Sequence, residues 1–227
     1  MLGLIGSRPA GRAARVLCVG AHCDDIEIGC AGTLLALQAG GARLEISWAV
    51  VSAPAVRREE TRKAMAMLVR RAARGRLICG DFPDGRFPAH YGAVKDFVES
   101  LKRLPAPDLI FCHERSDRHQ DHRIVNEMIW NTFRNHAVLE FEVPKWDGGL
   151  GTPNLLVPVS AAQMRAKVRA LMAAYGSQRR RDWFSADTFM ALARLRGIEC
   201  RSRSGYAEAF HARKLRFDGF AAGPSRE

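Results

Sequence analysis

Apolar runs of strand length recur at Val16–Val19, Leu44–Val51, Leu77–Cys79, Leu109–Cys112 and Val138–Phe141, and stretches with apolar residues three and four apart separate most of them. Ala31, Leu34, Leu35 and Gln38 outline the first helical stripe, Glu60, Ala64 and Leu68 the second, and Val94, Phe97, Val98 and Leu101 the third. A fourth runs through Ile124, Val125, Met128, Ile129 and Phe133. Strands that alternate with helices predict an α/β protein, here a Rossmann-like three-layer fold with a mostly parallel sheet and helices on both faces. After residue 143 the texture changes to Pro144, Asp147-Gly148-Gly149-Leu150-Gly151, Pro153 and Pro158, which predicts a turn-rich connection over 143–159. Loops of this kind often shape binding sites. Ser160 is expected to cap a helix with the stripe Met164, Val168, Leu171, Met172 and Tyr175, and a last helix is expected from near Ala186 to Arg196. With no internal repeat, residues 1–227 read as a single domain whose segment 217–227 is a loosely ordered tail.

In an open parallel sheet, ligands bind beyond the carboxyl ends of the strands, where loops and helix N-termini converge. Two polar segments fall there. His22-Cys23-Asp24-Asp25 follows the first strand, and His119-Gln120-Asp121-His122 lies beyond the fourth, at the predicted start of a helix. His22, Asp25 and His122 make a two-imidazole, one-carboxylate set of the kind that holds catalytic zinc with a coordination position left open. Fe2+ or Co2+ can replace zinc in such a mixed N/O set. Asp24 is then placed to act as general base on a water molecule, and His119 to donate to a developing oxyanion or a leaving group. Asp121 has three open readings: it holds His119 in its tautomer, it orients a metal-binding histidine through the ring's other nitrogen, or it caps the helix. No second metal cluster is legible, which weighs against a two-metal phosphoesterase.

Composition narrows the partners. A net charge of +11 favours anionic ligands, but the arginines are dispersed and carry little aromatic interleaving, so no nucleic acid is expected. Six cysteines without CxxC spacing point to a reducing, cytoplasmic setting. No apolar run approaches membrane-spanning length. A nucleotide-binding α/β module would also suit the fold and charge, yet the first loop lacks a GxGxxG fingerprint.

Ala21-His22-Cys23-Asp24-Asp25, Gly29-Cys30-Ala31-Gly32-Thr33-Leu34 and His119–His122 together resemble the PIG-L/LmbE-type de-N-acetylases. Weaker echoes lie at Arg57-Arg58-Glu59-Glu60, Phe82-Pro83-Asp84-Gly85, Tyr175-Gly176-Ser177-Gln178 and Tyr206-Ala207-Glu208-Ala209-Phe210. The resemblance implies zinc on His22, Asp25 and His122, Asp24 as base, His119 as the oxyanion or leaving-group imidazole, and Asp121 as its support. It also implies removal of an N-acetyl group from an amino sugar or sugar conjugate, with phosphate-bearing substrates among the options. Arg57 and Asp84 are candidate substrate contacts, and Trp146 is a candidate platform for a sugar face. The chain departs from the family at Cys23, where proline is usual, and at Ile26, where glutamate is common.

Overall fold

The computed structural model describes residues 12–69 and 73–215. Five parallel strands form the body of the sheet: β1 (Ala14–His22), β2 (Leu44–Ser52), β3 (Ala73–Cys79), β4 (Leu109–His113) and β5 (Ala137–Phe141). Helices α1 (Asp25–Ala39), α2 (Ala55–Leu68), α3 (Tyr91–Ser100) and α4 (Gln120–Thr132) connect them. Two further strands, β6 (Leu155–Val159) and β7 (Tyr206–His211), flank α5 (Ala161–Ala174) and α6 (Ala186–Glu199). The sheet order is β3-β2-β1-β4-β5-β7-β6, with β7 antiparallel to both of its neighbours. α1, α2, α5 and α6 share one apolar core with the sheet, whereas α3 and α4 close the other face over Leu17, Val19, Ala49 and Ile110. The expected three-layer α/β architecture is therefore the observed one.

The connection expected over 143–159 is corrected at its far end. Leu155–Val159 forms an edge strand, because Leu155 to Val159 pair with β7 while Pro158, which has no N–H, sits where one side of the strand is unpaired. Ser160 caps α5 through a reciprocal box with Gln163, so the chain passes from that edge directly into the helix. Segment 217–227 lies outside the described residues. Among those described, no helix is long and apolar enough to cross a membrane, and all six cysteines are free thiols.

The first helix is seated tightly. A Cβ on Gly29 would stand 2.3 Å from the Phe141 ring, and one on Gly32 would stand 2.8 Å from the Glu208 carboxylate. Glu208 accepts the Gly32 and Thr33 N–H groups at 2.8 and 2.6 Å and pairs with buried Lys167 at 2.6 Å. Lys167 also donates to the Ile28 carbonyl. Gly29-Cys30-Ala31-Gly32 and the Glu208 segment are thus two halves of one contact, and that contact fixes α1 against β5 and β7. Gly29→Ala is expected to destabilise the protein by about 1–3 kcal/mol through overpacking. Denaturant unfolding measures this, and an unchanged midpoint would mean that α1 does not rest on Phe141.

Candidate active site

β1 and β4 are neighbours in the sheet although their connections run to opposite faces, so the chain leaves a crevice beyond their carboxyl ends. His22 is the last residue of β1 and Asp25 the first of α1. Between them Asp24 adopts φ 97°, a left-handed conformation that costs a non-glycine residue about 1–3 kcal/mol and commonly marks a functional turn. Gly20 makes room for this reversal, since a Cβ there would crowd Asp25 and Ile26 at 3.1 Å. Asp25 closes the turn by accepting the His22 N–H at 2.7 Å.

The three expected metal ligands come together. His22 Nδ1 lies 3.2 Å from His122 Nε2 and 3.5 Å from Asp25 Oδ2, and His122 Nε2 lies 3.6 Å from Asp25 Oδ1. The two Asp25 distances run to different oxygens of one carboxylate; with metal–ligand bonds near 2.0–2.1 Å a tetrahedral edge measures about 3.3 Å, so the three groups lie close enough to share a small divalent cation. Both rings are held by their other nitrogens. Asp117 Oδ2 meets His122 Nδ1 at 2.8 Å, and Asp121 Oδ2 meets His22 Nε2 at 3.1 Å. Burial and the neighbouring His113 charge push the His122 imidazole well below its usual range. Burial also works against a charged His22, but hydrogen bonds to Asp121, Asp25 and Asp84 prevail and raise it well above that range. Three carboxylates around one imidazole demand positive charge, which is the chemistry of a cation site.

Asp121 meets His22 through its side chain and His119 through its backbone. Its carboxylate accepts Gly85 N–H at 2.7 Å and Phe87 N–H at 3.2 Å besides facing His22. The hydrogen bond between Asp121 and His119 instead runs from the Asp121 backbone N–H to His119 Nδ1 at 3.3 Å, because His119 is itself the cap of α4. That bond assigns the ring proton of a neutral His119 to Nε2. Burial and the His22 charge lower the His119 pKa, so the neutral, Nε2-protonated donor is favoured over an imidazolium acid.

Asp24 lines the same cavity as the triangle and is held by Arg57. Its Oδ2 pairs with Arg57 Nη2 at 3.0 Å, while the same guanidinium donates to the Cys23 carbonyl and stands over the Tyr175 ring at 5.7 Å. Glu60 contacts Arg57 at 3.4 Å and accepts from Ser177 N and Oγ at 2.8 and 2.7 Å. The Arg57–Glu60 and Tyr175–Gln178 segments therefore meet behind the turn at Asp24. Burial raises the Asp24 pKa, Arg57 opposes it, and the balance stands at about 7. Cys23 is buried with its thiol towards the Ser52 carbonyl, and desolvation lifts it to about 12, so it packs as a thiol.

An open cavity of about 140 Å3 is lined by His22, Asp24, Asp25, Arg57, Asp84, His119 and His122. Its outer wall includes Trp146, Arg181 and Trp183. Trp146 is 62% exposed, meets Trp183 edge to face at 6.0 Å and carries Arg181 over its ring at 5.7 Å. Asp84 faces His22 Nε2 at 2.9 Å, and the hydrogen bond holds its carboxyl down at about 2.

Three residues escaped the sequence reading. His113 ends β4, lies 3.1 Å from Asp25 and stacks on His122 with ring centroids 3.7 Å apart. Its position at a strand exit, the same as that of His22, was the available signal. Asp117 and Lys145 form a pair at 3.1 Å beside His122 and gave no such signal, because their meeting depends on how the 143–154 loop folds back. The structure also assembles a cluster that sequence did not reveal, in which His22, Asp84, His119 and Asp121 bring one donor atom each within 4.8 Å of the others.

Residues 17–133 match the PIG-L family, described as GlcNAc-PI de-N-acetylase. Among curated proteins none matches the chain in sequence. Among solved structures, the conserved protein TT1542 from Thermus thermophilus is 20% identical, with a TM-score of 0.68 over 93% of this chain and 98% of that one. N,N'-diacetylchitobiose deacetylase from Pyrococcus horikoshii is 18% identical, with a TM-score of 0.63 over 88% and 83% of the two chains. GalB, the 4-carboxy-2-hydroxymuconate hydratase from Pseudomonas putida, is 15% identical, with a TM-score of 0.68 over 92% and 100%. At such identities these likenesses establish a shared fold, and that fold carries more than one reaction.

Asp117→Asn is expected to weaken divalent-cation binding about 10- to 100-fold by loosening His122. Calorimetric titration of metal-free protein checks this, and unchanged affinity would remove Asp117 from the support of the site.

Proposed function

This chain belongs to the PIG-L family of GlcNAc-PI de-N-acetylases, and from that membership we propose that it is a zinc-dependent hydrolase that removes the N-acetyl group of an amino sugar or sugar conjugate, releasing acetate and a free amine. The observation that carries the proposal is the triangle of His22 Nδ1, the Asp25 carboxylate and His122 Nε2, with edges of 3.2–3.6 Å and Asp24 beside it. His22, Asp25 and His122 would hold the metal. When bound, zinc polarises the amide carbonyl and acidifies water towards a pKa of about 7, and Fe2+ or Co2+ can supply the same chemistry.

The chain's own groups then divide the remaining work. Asp24 takes the proton of the attacking water; a carboxylate whose pKa is raised towards neutrality both accepts that proton and can return it to the departing nitrogen. His119 donates its Nε2–H to the carbonyl oxygen as negative charge develops there, a contribution of roughly 3–4 kcal/mol for a well-placed donor. Arg57 would hold the Asp24 carboxylate in place through their 3.0 Å pair. Asp84, Trp146 and Trp183 are assigned to the sugar, with the indoles offering stacking faces and Arg181 offering charge to an acidic substituent.

Family membership disfavours the phosphoesterase and the non-catalytic nucleotide-binding module. The turn after β1 also offers carboxylates where a dinucleotide site presents glycines and free backbone N–H groups.

Asp24→Asn is expected to retain metal and lose about 10²- to 10⁴-fold in turnover, read as acetate release from N-acetylated sugars with metal content measured in parallel. Full activity of this variant on a confirmed substrate would end the general-base assignment. Because Asp24 must be deprotonated to work, activity should rise with pH along an acid limb above the ordinary carboxylate range. Arg57→Gln removes the cation that favours the charged form, so the limb should move to higher pH by about one unit or more. A limb that stays in place or moves down would separate Arg57 from the base.

A further inference from the structure

The strand starts lie at the end of the sheet away from the His22 crevice. On the side that faces α3 and α4, Leu17, Ala49 and Ile78 of β1, β2 and β3 belong to or pack against the apolar core. Towards the strand starts the same face turns polar. Arg15 is in register with Glu45 and Glu45 with Arg74, and in the next row Leu17 is in register with Ser47 and Ser47 with Arg76. Residues paired across parallel strands, and those two apart along a strand, present their side chains to one face, so three guanidinium groups share it with one carboxylate. α3 ends at Ser100 and the chain passes through Pro105 on its way to β4, which leaves this corner of the sheet open. The resulting cavity, with Arg15, Glu45, Ser47, Arg74, Arg76 and Pro105 in its lining, measures about 250 Å3, against about 140 Å3 for the crevice at His22.

We propose that this groove is a binding site for a phosphoryl group, separate from the crevice at His22. Charge carries the inference. Arg15 and Glu45 stand 3.5 Å apart, so the one carboxylate of the lining is already matched by one cation. Arg74 and Arg76 are exposed and have no carboxylate partner among the described residues, which leaves two uncompensated guanidinium groups. They sit two positions apart on the edge strand β3, roughly 7 Å between Cα atoms, close enough for both planar forks to turn onto one anion. Such forks match phosphate oxygens with paired N–H donors. A phosphomonoester carries about −1.5 to −2 charges at neutral pH, which balances the two. Ser47, beside Arg76 in register, adds a half-buried hydroxyl that no described residue engages. The volume is below the roughly 300 Å3 at which pockets for larger ligands begin, so the site suits a phosphoryl group with little attached. Arg15 and His22 lie at the two ends of β1, roughly 23 Å apart at about 3.3 Å per residue. A phosphoryl group held here, on a soluble ester or on a lipid headgroup, therefore anchors the protein by the end opposite its crevice and leaves the crevice open to substrate.

The test titrates the full chain, stripped of metal, with inorganic phosphate in a calorimeter. The parent should bind one equivalent, more weakly as salt is raised. The double variant Arg74→Gln/Arg76→Gln, whose folding is checked by thermal unfolding, should weaken that binding about tenfold or more. Glu45→Gln removes the only carboxylate of the lining and should tighten it, a gain that a damaged fold does not mimic. Arg181→Gln, at the rim of the other cavity, should leave it unchanged. A parent without saturable binding up to tens of millimolar phosphate overturns the site, and so does binding that survives in the double variant or is lost in Arg181→Gln, since phosphate would then sit elsewhere. Co-sedimentation with phosphatidylcholine vesicles, with and without phosphatidic acid, separates the sources. Retention on phosphatidic acid that the double variant loses assigns the site to a lipid headgroup, and phosphate binding without retention assigns it to a soluble ester. Retention without phosphate binding is diffuse attraction to a charged surface and overturns the proposal.

Discussion

Two consecutive carboxylates can serve different tasks only if the backbone turns sharply between them. At Asp24 it does so through a left-handed residue, which sends Asp25 into the triangle with His22 and His122 and leaves Asp24 against Arg57. Such a conformation persists only where its surroundings impose it. Here the imposing groups are Gly20, which admits the returning helix, and Arg57, which grips both the Cys23 carbonyl and the Asp24 side chain. Glu60, Ser177 and the Tyr175 ring in turn hold Arg57. Segments far apart in sequence thereby converge on one strained peptide, and the division of labour between the two aspartates depends on it.

Each histidine of the triangle is oriented through its outward nitrogen by a carboxylate: Asp117 for His122 and Asp121 for His22. In the proposed metal site this leaves His22 Nδ1 and His122 Nε2 to face the cation. Asp121 serves a second purpose, because its hydrogen bonds to Gly85 and Phe87 tie the Asp84 loop to the start of α4. The loop that carries a candidate substrate contact is therefore positioned by the same side chain that orients a ligand, and the backbone N–H of that residue sets the tautomer of His119.

The five parallel strands were legible because buried strands read as continuous apolar runs, and the strand-exit rule then placed His22, Asp25 and His122 in one crevice. β6 and β7 were not. Leu155–Val159 contains a proline and follows a glycine-rich loop, so its local signal is that of a turn, and only pairing with Tyr206–His211 makes it a strand. Asp121 was ambiguous for a related reason: side-chain direction at the first turn of α4 depends on the 80–87 loop, which is some 35 positions away in the chain. The glycines of α1 were visible as a pattern, but their cause was not, since Phe141 and Glu208 lie in strands far downstream.

The shared architecture does not select the reaction, because a hydratase and a deacetylase have it alike at comparable TM-scores. Selection has to come from what the crevice presents. In this chain it presents a mixed N/O triangle on one side of His22, a carboxylate poised near neutrality beside it, and a neutral imidazole whose proton is fixed on Nε2. On the proposed reading Asp24 would take the proton of the attacking water and His119 would meet the oxyanion, the division of roles that amide hydrolysis needs.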